Sequence, residues 1–394
     1  MSTTDHAGTT LAPAASTLLG DPDLPQRDTG GRLGSTLLRH LAVAAALLVV
    51  GIGLTYVLSG FRNFEFASFL VYVIAAAGLT VLIGLNGQIS LGHGAIMAVG
   101  GYSAGFTQNL LAELSATPPP PGATGFDAVE TVQSWTIVIS IAVGGLAATA
   151  VGLLIGMAAA RLRGPYLAGA TLALVAVVPA VTTSFDVFNG GQGIRVRVPS
   201  TFTGQDAAVS SDQWRAWVAM GLVGVVMVLL ANLARSRIGR EFRAVRDDEV
   251  AALVSGIRVA RTQVIAFVIS AAAAGLAGAL LVVLTGNAQP GAFSLNLSLF
   301  LVFAVVIGGL GSLLGAVWGS VFLVVLVPVL TGLVVHAVAD TPALEQRLTA
   351  GLTATLFGLA LIVVTVAVPG GIQSQLQRLG GWLRGAIRRE AEAS

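Results

Sequence analysis

The junction segment, residues 84–95, contains the residue types in this chain that best fit a binding site. It reads GLNGQISLGHGA and places Asn86, Gln88, Ser90 and His93 among four glycines. Glycines at this density break a helix, and non-helical backbone at membrane depth persists only where it lines a cavity or is buried in protein. Transporters build substrate sites at such broken helices. We therefore predict that these four side chains line a translocation path; the alternative is an ordinary turn at the membrane interface.

A second glycine-rich stretch, the glycine turn, contains Gly308, Gly309 and Gly311. Small residues four apart, which share one helix face, follow it and recur elsewhere: Gly311, Gly315 and Gly319; Gly101 and Gly105; Gly152 and Gly156; Ala271 and Gly275; Ala274 and Gly278. Small residues at this spacing let membrane helices approach closely. The pattern mainly predicts a tightly packed helical bundle. The glycine turn can also open a helix beside the translocation path.

The polar loop, residues 234–262, interrupts an otherwise apolar chain. It carries seven of the 21 basic residues: Arg235, Arg237, Arg240, Arg243, Arg246, Arg258 and Arg261. The arginines are followed by Asp247, Asp248 and Glu249, and then by the small residues Ala251, Ala252 and Gly256. Acidic residues favour a helix start and glycine favours a helix end, so we predict a short helix from about 247 to 255. Such a helix can transmit force to or from a soluble domain; attraction of a basic loop to anionic lipid is the alternative.

Composition places these segments in a membrane protein. Hydrophobic residues make up 55% of the 394 and charged residues 10%, whereas a soluble domain has about a quarter of its residues charged. Segments of roughly 20 apolar residues span a bilayer, and ten candidates are present: 40–59, 66–84, 93–112, 135–159, 165–184, 215–233, 263–285, 297–315, 316–338 and 350–369. The third is the most polar. The eighth and ninth almost adjoin, so a re-entrant or broken segment is an alternative there.

Arginine distribution predicts the orientation of these spans. Positively charged loops stay on the cytoplasmic side, and most of the arginines fall inside only if both termini are cytoplasmic. We therefore predict a disordered cytoplasmic tail over 1–36, a transmembrane domain over 37–370 with the polar loop inside, and a cytoplasmic tail over 371–394. The 1–36 segment lacks the pattern of a secretory signal.

Missing residue types exclude several kinds of chemistry. The chain has no cysteine and no lysine, which rules out disulfides, thiolate nucleophiles, Schiff bases and a P-loop lysine. Its four histidines are scattered without metal-ligand spacing. We therefore expect no metal site, no cofactor bound by this chain, no nucleic-acid partner and no enzymatic activity.

The sequence resembles the membrane permease subunits of ATP-binding-cassette importers in the branched-chain (hydrophobic) amino acid family. The matching segments are GLNGQISLGHGA (84–95), RLRGPYLA (161–168), IGREFRAVRDDEVAALVSGI (238–257), AFVISAAAAGLAGAL (266–280) and IGGLGSLLGAVWG (307–319). They occur in this order over about 66–370. The NGGQGI segment at 189–194 and the long N-terminal region are most similar to the longer of the two paired permease types.

This resemblance implies an all-α permease of about ten transmembrane helices, of the vitamin-B12-importer type, in a bacterial plasma membrane. Its partners would be a second permease or a copy of itself, two cytoplasmic ATPases that hold ATP and magnesium, an extracytoplasmic binding protein, and membrane lipid. The segment that couples such permeases to their ATPases would correspond to Glu249, Ala251, Ala252 and Gly256. Val250 departs from the family pattern by separating Glu249 from the alanines.

Three other readings remain open from sequence. The same machine can carry urea or short-chain amides, since nothing in the junction segment separates these from leucine. An ion-coupled secondary transporter should carry buried carboxylates or an ion site within its spans, and a membrane-embedded enzyme should show paired His, Asp or Glu in adjacent spans. The spans contain almost none of these groups.

Overall fold

The computed structural model describes residues 29–115, 133–162, 164–197, 210–338 and, within 355–379, residues 355–356, 358–359, 361–363, 366–367 and 370–379. Its helices are α1 (Thr29–Val57), α2 (Gly60–Leu79), α3 (His93–Ser115), α4 (Trp135–Ala159), α5 (Pro165–Ser184), α6 (Ser211–Arg235), α7 (Arg237–Asp247), α8 (Glu249–Val254), α9 (Val259–Thr285), α10 (Leu295–Gly308), α11 (Leu313–Val321) and α12 (Val327–Val338). The structure also describes two short strands, β1 (Ile194–Arg195) and β2 (Asn287–Ala288), 3-10 turns at Asp186–Gly191 and Pro290–Phe293, and π-helical turns at Thr80–Leu85 and Phe322–Leu326. The protein is thus mostly helical, as expected for a multi-pass membrane protein.

Eight described segments are long and apolar enough to cross a membrane. They are His40–Val57, Gly60–Leu85, Trp135–Ala159, Tyr166–Ser184, Ser211–Arg235, Val259–Thr285, Pro290–Gly308 and Leu313–Val335, and they correspond to eight of the ten predicted spans. The predicted third span is the helix α3, which is more polar than the others. The predicted tenth, 350–369, lies largely outside the described residues.

The predicted N-terminal tail needs a correction at its end. Helix α1 begins at Thr29, so residues 29–36, which we predicted as disordered, are helical; residues 1–28 lie outside the described part. The break between the predicted eighth and ninth spans also moves. Helix α10 ends at Gly308 and α11 begins at Leu313, because Gly309 and Gly311 adopt positive φ angles of 120° and 81°, which a helix cannot continue.

Helices α3, α4 and α9 pack closely against one another through glycines. A Cβ added to Gly100 would overlap the backbone of Gly275, one on Gly278 would overlap the carbonyl of Met97, and one on Gly152 would overlap Ala271. Backbones this close leave no room for larger side chains, as in other membrane helix pairs. The close packing predicted from the four-residue spacing is therefore confirmed for α4 and α9.

Helix α1 lies at the edge of the bundle and packs on α6. Most of its leucines and valines are exposed, including Leu47, Val49 and Val50 at 67–69%, as expected for a lipid-facing surface. Polar contacts fix the pair: His40 Nδ1 lies 3.1 Å from Asn232 Oδ1, and Gln213 Nε2 and Trp217 Nε1 donate over 3.0 Å to the Thr55 carbonyl and Thr55 Oγ1.

One end of the bundle, the strand end, is closed by backbone pairing. Strand β1 pairs antiparallel with β2, with Ile194 opposite Ala288 and Arg195 opposite Asn287, and Val196 N–H donates to the Gly286 carbonyl over 2.9 Å. The polar loop lies at the opposite end of α6 and α9. These two ends enclose the site described next.

Candidate functional site

The helix that leads into the junction segment is distorted before it ends. Helix α2 continues from Thr80 to Leu85 as a π-helical turn, and the chain then runs without helix until α3 begins at His93. Single π-helical turns inside α-helices are frequent at functional sites. The break predicted from the glycines is therefore present at residues 86–92.

After this break the chain turns back into the bundle. His93 Nε2 lies 3.1 Å from the Ala75 carbonyl, nine residues before Gly84, which places it about 14 Å back along α2 at 1.5 Å per residue. Helix α3 therefore begins well inside the bundle. The end of the junction segment at His93 thus lies inside the helical bundle.

Two further helices hold this re-entrant backbone. Leu91 N–H donates to Thr171 Oγ1 of α5 over 3.0 Å, and Gly94 N–H donates to Ser298 Oγ of α10 over 2.9 Å. Gly92 packs against Thr171 so closely that a Cβ would lie 2.6 Å from the Thr171 carbonyl oxygen. Helices α2, α3, α5 and α10 therefore meet around the junction segment.

The four predicted path residues are buried there with unused hydrogen-bonding capacity. Asn86, Gln88, Ser90 and His93 are 3%, 6%, 0% and 0% exposed. Both amide atoms of Asn86, Gln88 Oε1, Ser90 Oγ and His93 Nδ1 have no partner within the described part of the chain. A buried polar atom without a partner costs about 1–3 kcal/mol. A bound solute or water would satisfy these groups.

The glycine turn meets the junction segment at the polar-loop end. A Cβ on Gly311 would lie 3.1 Å from the Gly84 carbonyl oxygen. A Cβ on Gly309 would lie 3.1 Å from the Gly370 carbonyl oxygen, and Gly308 packs on Gly315 of α11. The structure thus brings together two glycine-rich segments that are more than 200 residues apart.

The polar loop forms two helices, of which α8 matches the predicted short helix. Asp248 caps it: Oδ1 accepts from the N–H groups of Val250 (2.8 Å) and Ala251 (3.0 Å). At the other end the Gly256 N–H donates to Leu253 and the Ile257 N–H donates to Ala252, a Schellman motif, with Gly256 at φ 83°. The predicted ends of this helix are confirmed to within about two residues, the usual uncertainty of helix boundaries.

Helix α8 presents an apolar surface away from the bundle. Val250, Leu253 and Val254 are 72%, 63% and 84% exposed, whereas Ala252 is 3% exposed. In a segment otherwise rich in charge, exposed apolar side chains on a capped helix are typical of a protein contact surface. We had not predicted these three side chains as site residues, although their apolar run within a charged segment was the available signal.

The charged residues predicted to couple mainly brace the polar loop itself. Arg243 Nη1 donates to the Ala234 carbonyl over 3.0 Å, and Glu249 Oε1 accepts from Gln263 Nε2 over 3.0 Å. Asp247 accepts from the guanidinium of Arg246. Arg246, Thr171 and Ser298 were missed from sequence because their roles depend on contacts with distant segments. The described residues contain no group of three or more His, Asp or Glu suited to a metal ion.

Comparison with known proteins identifies the family. A family model described as "Branched-chain amino acid transport system / permease component" matches residues 64–365, which is most of the chain. The chain belongs to this family of permease components. The matched range includes the junction segment, the polar loop and the glycine turn, so all three belong to the shared permease domain.

Individual relatives agree with this assignment. The chain is 29% identical over 302 residues to the high-affinity branched-chain amino acid permease protein LivM of Salmonella typhimurium, covering 71% of this chain and 65% of LivM; it thus spans just under two thirds of LivM. It is 31% identical to LivH of the same organism (62% of this chain, 77% of LivH). It is 25% identical to the fructose import permease protein FruF of Bifidobacterium longum (75% and 73%). No solved structure matches the chain at a significant level.

Proposed function

We propose that this chain is the transmembrane permease subunit of an ATP-driven, binding-protein-dependent importer for branched-chain and other hydrophobic amino acids. In this proposal it forms the translocation path with a second permease subunit or a second copy of itself. Two cytoplasmic subunits bind ATP and magnesium, and an extracytoplasmic protein delivers the solute. The chain lies in a bacterial plasma membrane with ten spans of the vitamin-B12-importer type, and both termini and the polar loop face the cytoplasm.

The observation that carries this proposal is the pairing of the exposed apolar α8 with the buried, broken junction segment. A secondary transporter has no need of an apolar docking helix at one end of its bundle. A permease moved by separate ATPases needs one, because the work must enter through a protein contact. The contact surface of that helix is supplied by Val250, Leu253 and Val254. The predicted coupling residues form the helix or brace the polar loop around it: Arg243, Asp247, Asp248, Glu249, Ala251, Ala252 and Gly256.

The path we propose runs along the junction segment. Asn86, Gln88, Ser90 and His93 offer polar atoms to the amino and carboxyl groups of the solute, while the surrounding aliphatic side chains accept its apolar part. The glycine turn, with Gly308, Gly309 and Gly311, borders the path at the polar-loop end. Because its backbone is not helical, it can change shape without breaking a helix.

Cargo is the least constrained element of the proposal. LivM and LivH are named for branched-chain amino acids and FruF for fructose, so members of similar sequence differ in what they carry. Urea and short-chain amides are the second candidate for this chain, because amide and imidazole groups can both donate hydrogen bonds to them and accept hydrogen bonds from them.

The decisive experiment is uptake into vesicles that contain the assembled complex with its ATPases and binding protein. We expect ATP-dependent accumulation of labelled leucine and no accumulation of labelled urea. Urea uptake with no leucine uptake would identify urea, and not leucine, as the transported solute. Uphill accumulation by this chain alone, without any ATPase, would overturn the permease proposal.

Coupling through α8 is tested by Gly256→Pro. Proline cannot adopt a φ of 83° and has no N–H to donate to Leu253, so the end of α8 should be remodelled. In complexes assembled at saturating ATPase concentration, we expect transport per ATP hydrolysed to fall about tenfold or more, as for loss of 1.4 kcal/mol or more of coupling. Gly291→Ala, at a position with open space for a Cβ, is the control for substitution of a glycine outside the polar loop. Unchanged coupling by Gly256→Pro would contradict a role for α8.

A further inference from the structure

The side chain of Arg246 links three segments that are far apart in sequence. It lies in the last turn of α7, and its side chain is 36% exposed. Its Nη1 donates to the Gly84 carbonyl over 2.7 Å. Its Nε and Nη2 donate to Asp247 Oδ1 over 2.9 and 2.8 Å. The polar loop is thereby bonded directly to the inner end of the distorted α2.

Glycines make room for this side chain. A Cβ on Gly87 would lie 2.8 Å from Arg246 Cγ, and a Cβ on Gly311 would lie 3.5 Å from Arg246 Nη1. Gly87 and Gly311 also have positive φ angles of 77° and 81°. The arginine thus lies against the junction segment and the glycine turn at once, in a space that side chains at these positions would narrow.

Electrostatics favour the same arrangement. Gly84 belongs to the last turn of the helical run that ends at Leu85, where unpaired carbonyls carry the negative end of the helix dipole. A guanidinium is planar and has several donors, so it can bond Gly84 and Asp247 together, whereas an ammonium is a single point charge. The carboxylate of Asp247 orients the guanidinium, and the carbonyl of Gly84 accepts a hydrogen bond from it.

We propose that Arg246 is a positioning residue that transmits movement of the polar loop to the junction segment. The inference rests on the proposed function, because it assumes that an ATPase moves α8. Helix α8 is separated from α7 by Asp248 alone, so displacement of α8 displaces the end of α7 that carries Arg246. The bond to Gly84 then pulls on the backbone just before Asn86 and Gln88, and the glycine turn shifts with it. The solute path changes shape at the end nearest the ATPases.

The test compares Arg246→Gln with Arg237→Gln in the assembled complex. Both remove one positive charge from α7, but Arg237 is 87% exposed and contacts only Glu241 on the same helix among the described contacts. Three quantities are measured: ATP hydrolysis, uptake of labelled leucine per ATP, and hydrogen exchange of residues 84–92 and 249–256 with and without ATP and magnesium. Arg246→Lys is included because it keeps the positive charge but loses the planar guanidinium with its several donors.

We expect Arg246→Gln to assemble and hydrolyse ATP like Arg237→Gln, with uptake per ATP lower by about tenfold, since a hydrogen bond to a charged group is worth that factor or more. Exchange at 249–256 should still respond to ATP, but exchange at 84–92 should no longer respond. Uptake per ATP in Arg246→Lys should fall between the values for Arg246→Gln and Arg237→Gln. Arg237→Gln should behave as the unsubstituted protein.

Different outcomes overturn different claims. If exchange at 249–256 does not respond to ATP in the unsubstituted complex, coupling through α8 is wrong. If it responds and exchange at 84–92 still follows ATP in Arg246→Gln, coupling stands and the positioning role of Arg246 is wrong. If Arg246→Gln fails to assemble while Arg246→Lys assembles and couples fully, the residue is a structural support only, and the inference is also wrong.

Discussion

The two ends of the bundle are held together by different kinds of contact. At the strand end, β1 and β2 pair through their backbones, and the buried Gln108 and its neighbour Asn109 bond residues 195–197. At the polar-loop end, the bond from α7 to α2 is made by the single side chain of Arg246, and α8 exposes apolar residues.

This difference indicates which end moves. Several backbone bonds in one place must break together, so the strand end resists opening. A partner that binds α8 can shift the polar-loop end more readily, because the hydrogen bond between α7 and the end of α2 comes from one side chain that can follow or exchange. We infer that the strand end is a clamp and the polar-loop end is a hinge.

The largest expected effect comes from breaking the clamp with Gly193→Val. Gly193 has a φ of 89°, and a Cβ there would overlap the Ala288 carbonyl. Valine in a left-handed backbone conformation is strained, and its side chain would overpack the strand pair. Together these effects should lower the free energy of unfolding by about 3 kcal/mol, which denaturation in mixed detergent measures. Gly221→Val, where a Cβ meets nothing within 4 Å, should cost much less. Equal losses in the two variants would contradict a clamp at β1–β2.

A smaller loss of stability is expected from Gln108→Leu. Gln108 is fully buried; its Nε2 donates to Thr136 Oγ1 (2.8 Å) and the Arg197 carbonyl (3.0 Å), and its Oε1 accepts from Ser140 (2.8 Å). Removing this amide leaves buried groups short of partners and should cost about 2 kcal/mol. Asn109→Leu, at a less buried position, should cost about 1 kcal/mol, and the same denaturation assay ranks the pair. If Asn109→Leu lowered the free energy of unfolding more than Gln108→Leu, burial of the amide would not determine the stability of the strand end.

The smallest change in fold stability is expected at the hinge, from Val254→Asp. Val254 is 84% exposed, so its replacement should alter the free energy of unfolding by less than about 0.5 kcal/mol. Binding of the ATPase subunits should nevertheless weaken about tenfold, because a charge replaces an apolar contact, and titration of ATPase subunits onto vesicles measures it. Val254→Ala should weaken binding less. If Val254→Asp binds ATPase normally, α8 does not carry the contact.

The junction segment shows how far sequence reasoning reaches at the candidate site. Its glycines and polar residues predicted a break in the helix, and the break is present at 86–92. That Thr171 and Ser298 hold this backbone was not predictable, because each is an ordinary hydroxyl residue in an apolar helix. Their contacts span 80 and 204 residues, and no local pattern records such distances.

The polar loop shows the same division. Asp248 and Gly256 marked the ends of α8 because capping and left-handed φ depend on residue type and local spacing. Arg246 was one arginine among seven, and only its position beside Gly84, Gly87 and Gly311 distinguishes it from Arg237. The path and coupling roles of the predicted residues stay predictions.

The pattern of residue types is enough to indicate that this chain is helical and membrane-spanning, that a helix breaks in the junction segment, and which helices pack through small residues. These properties follow from hydropathy, backbone preference and side-chain size, which act over a few residues. Two facts emerge only from the folded chain: the two glycine-rich segments meet beneath one guanidinium, and α8 turns its valines and leucine outward. Those facts depend on which surfaces lie together after folding, and a linear pattern carries no information about that.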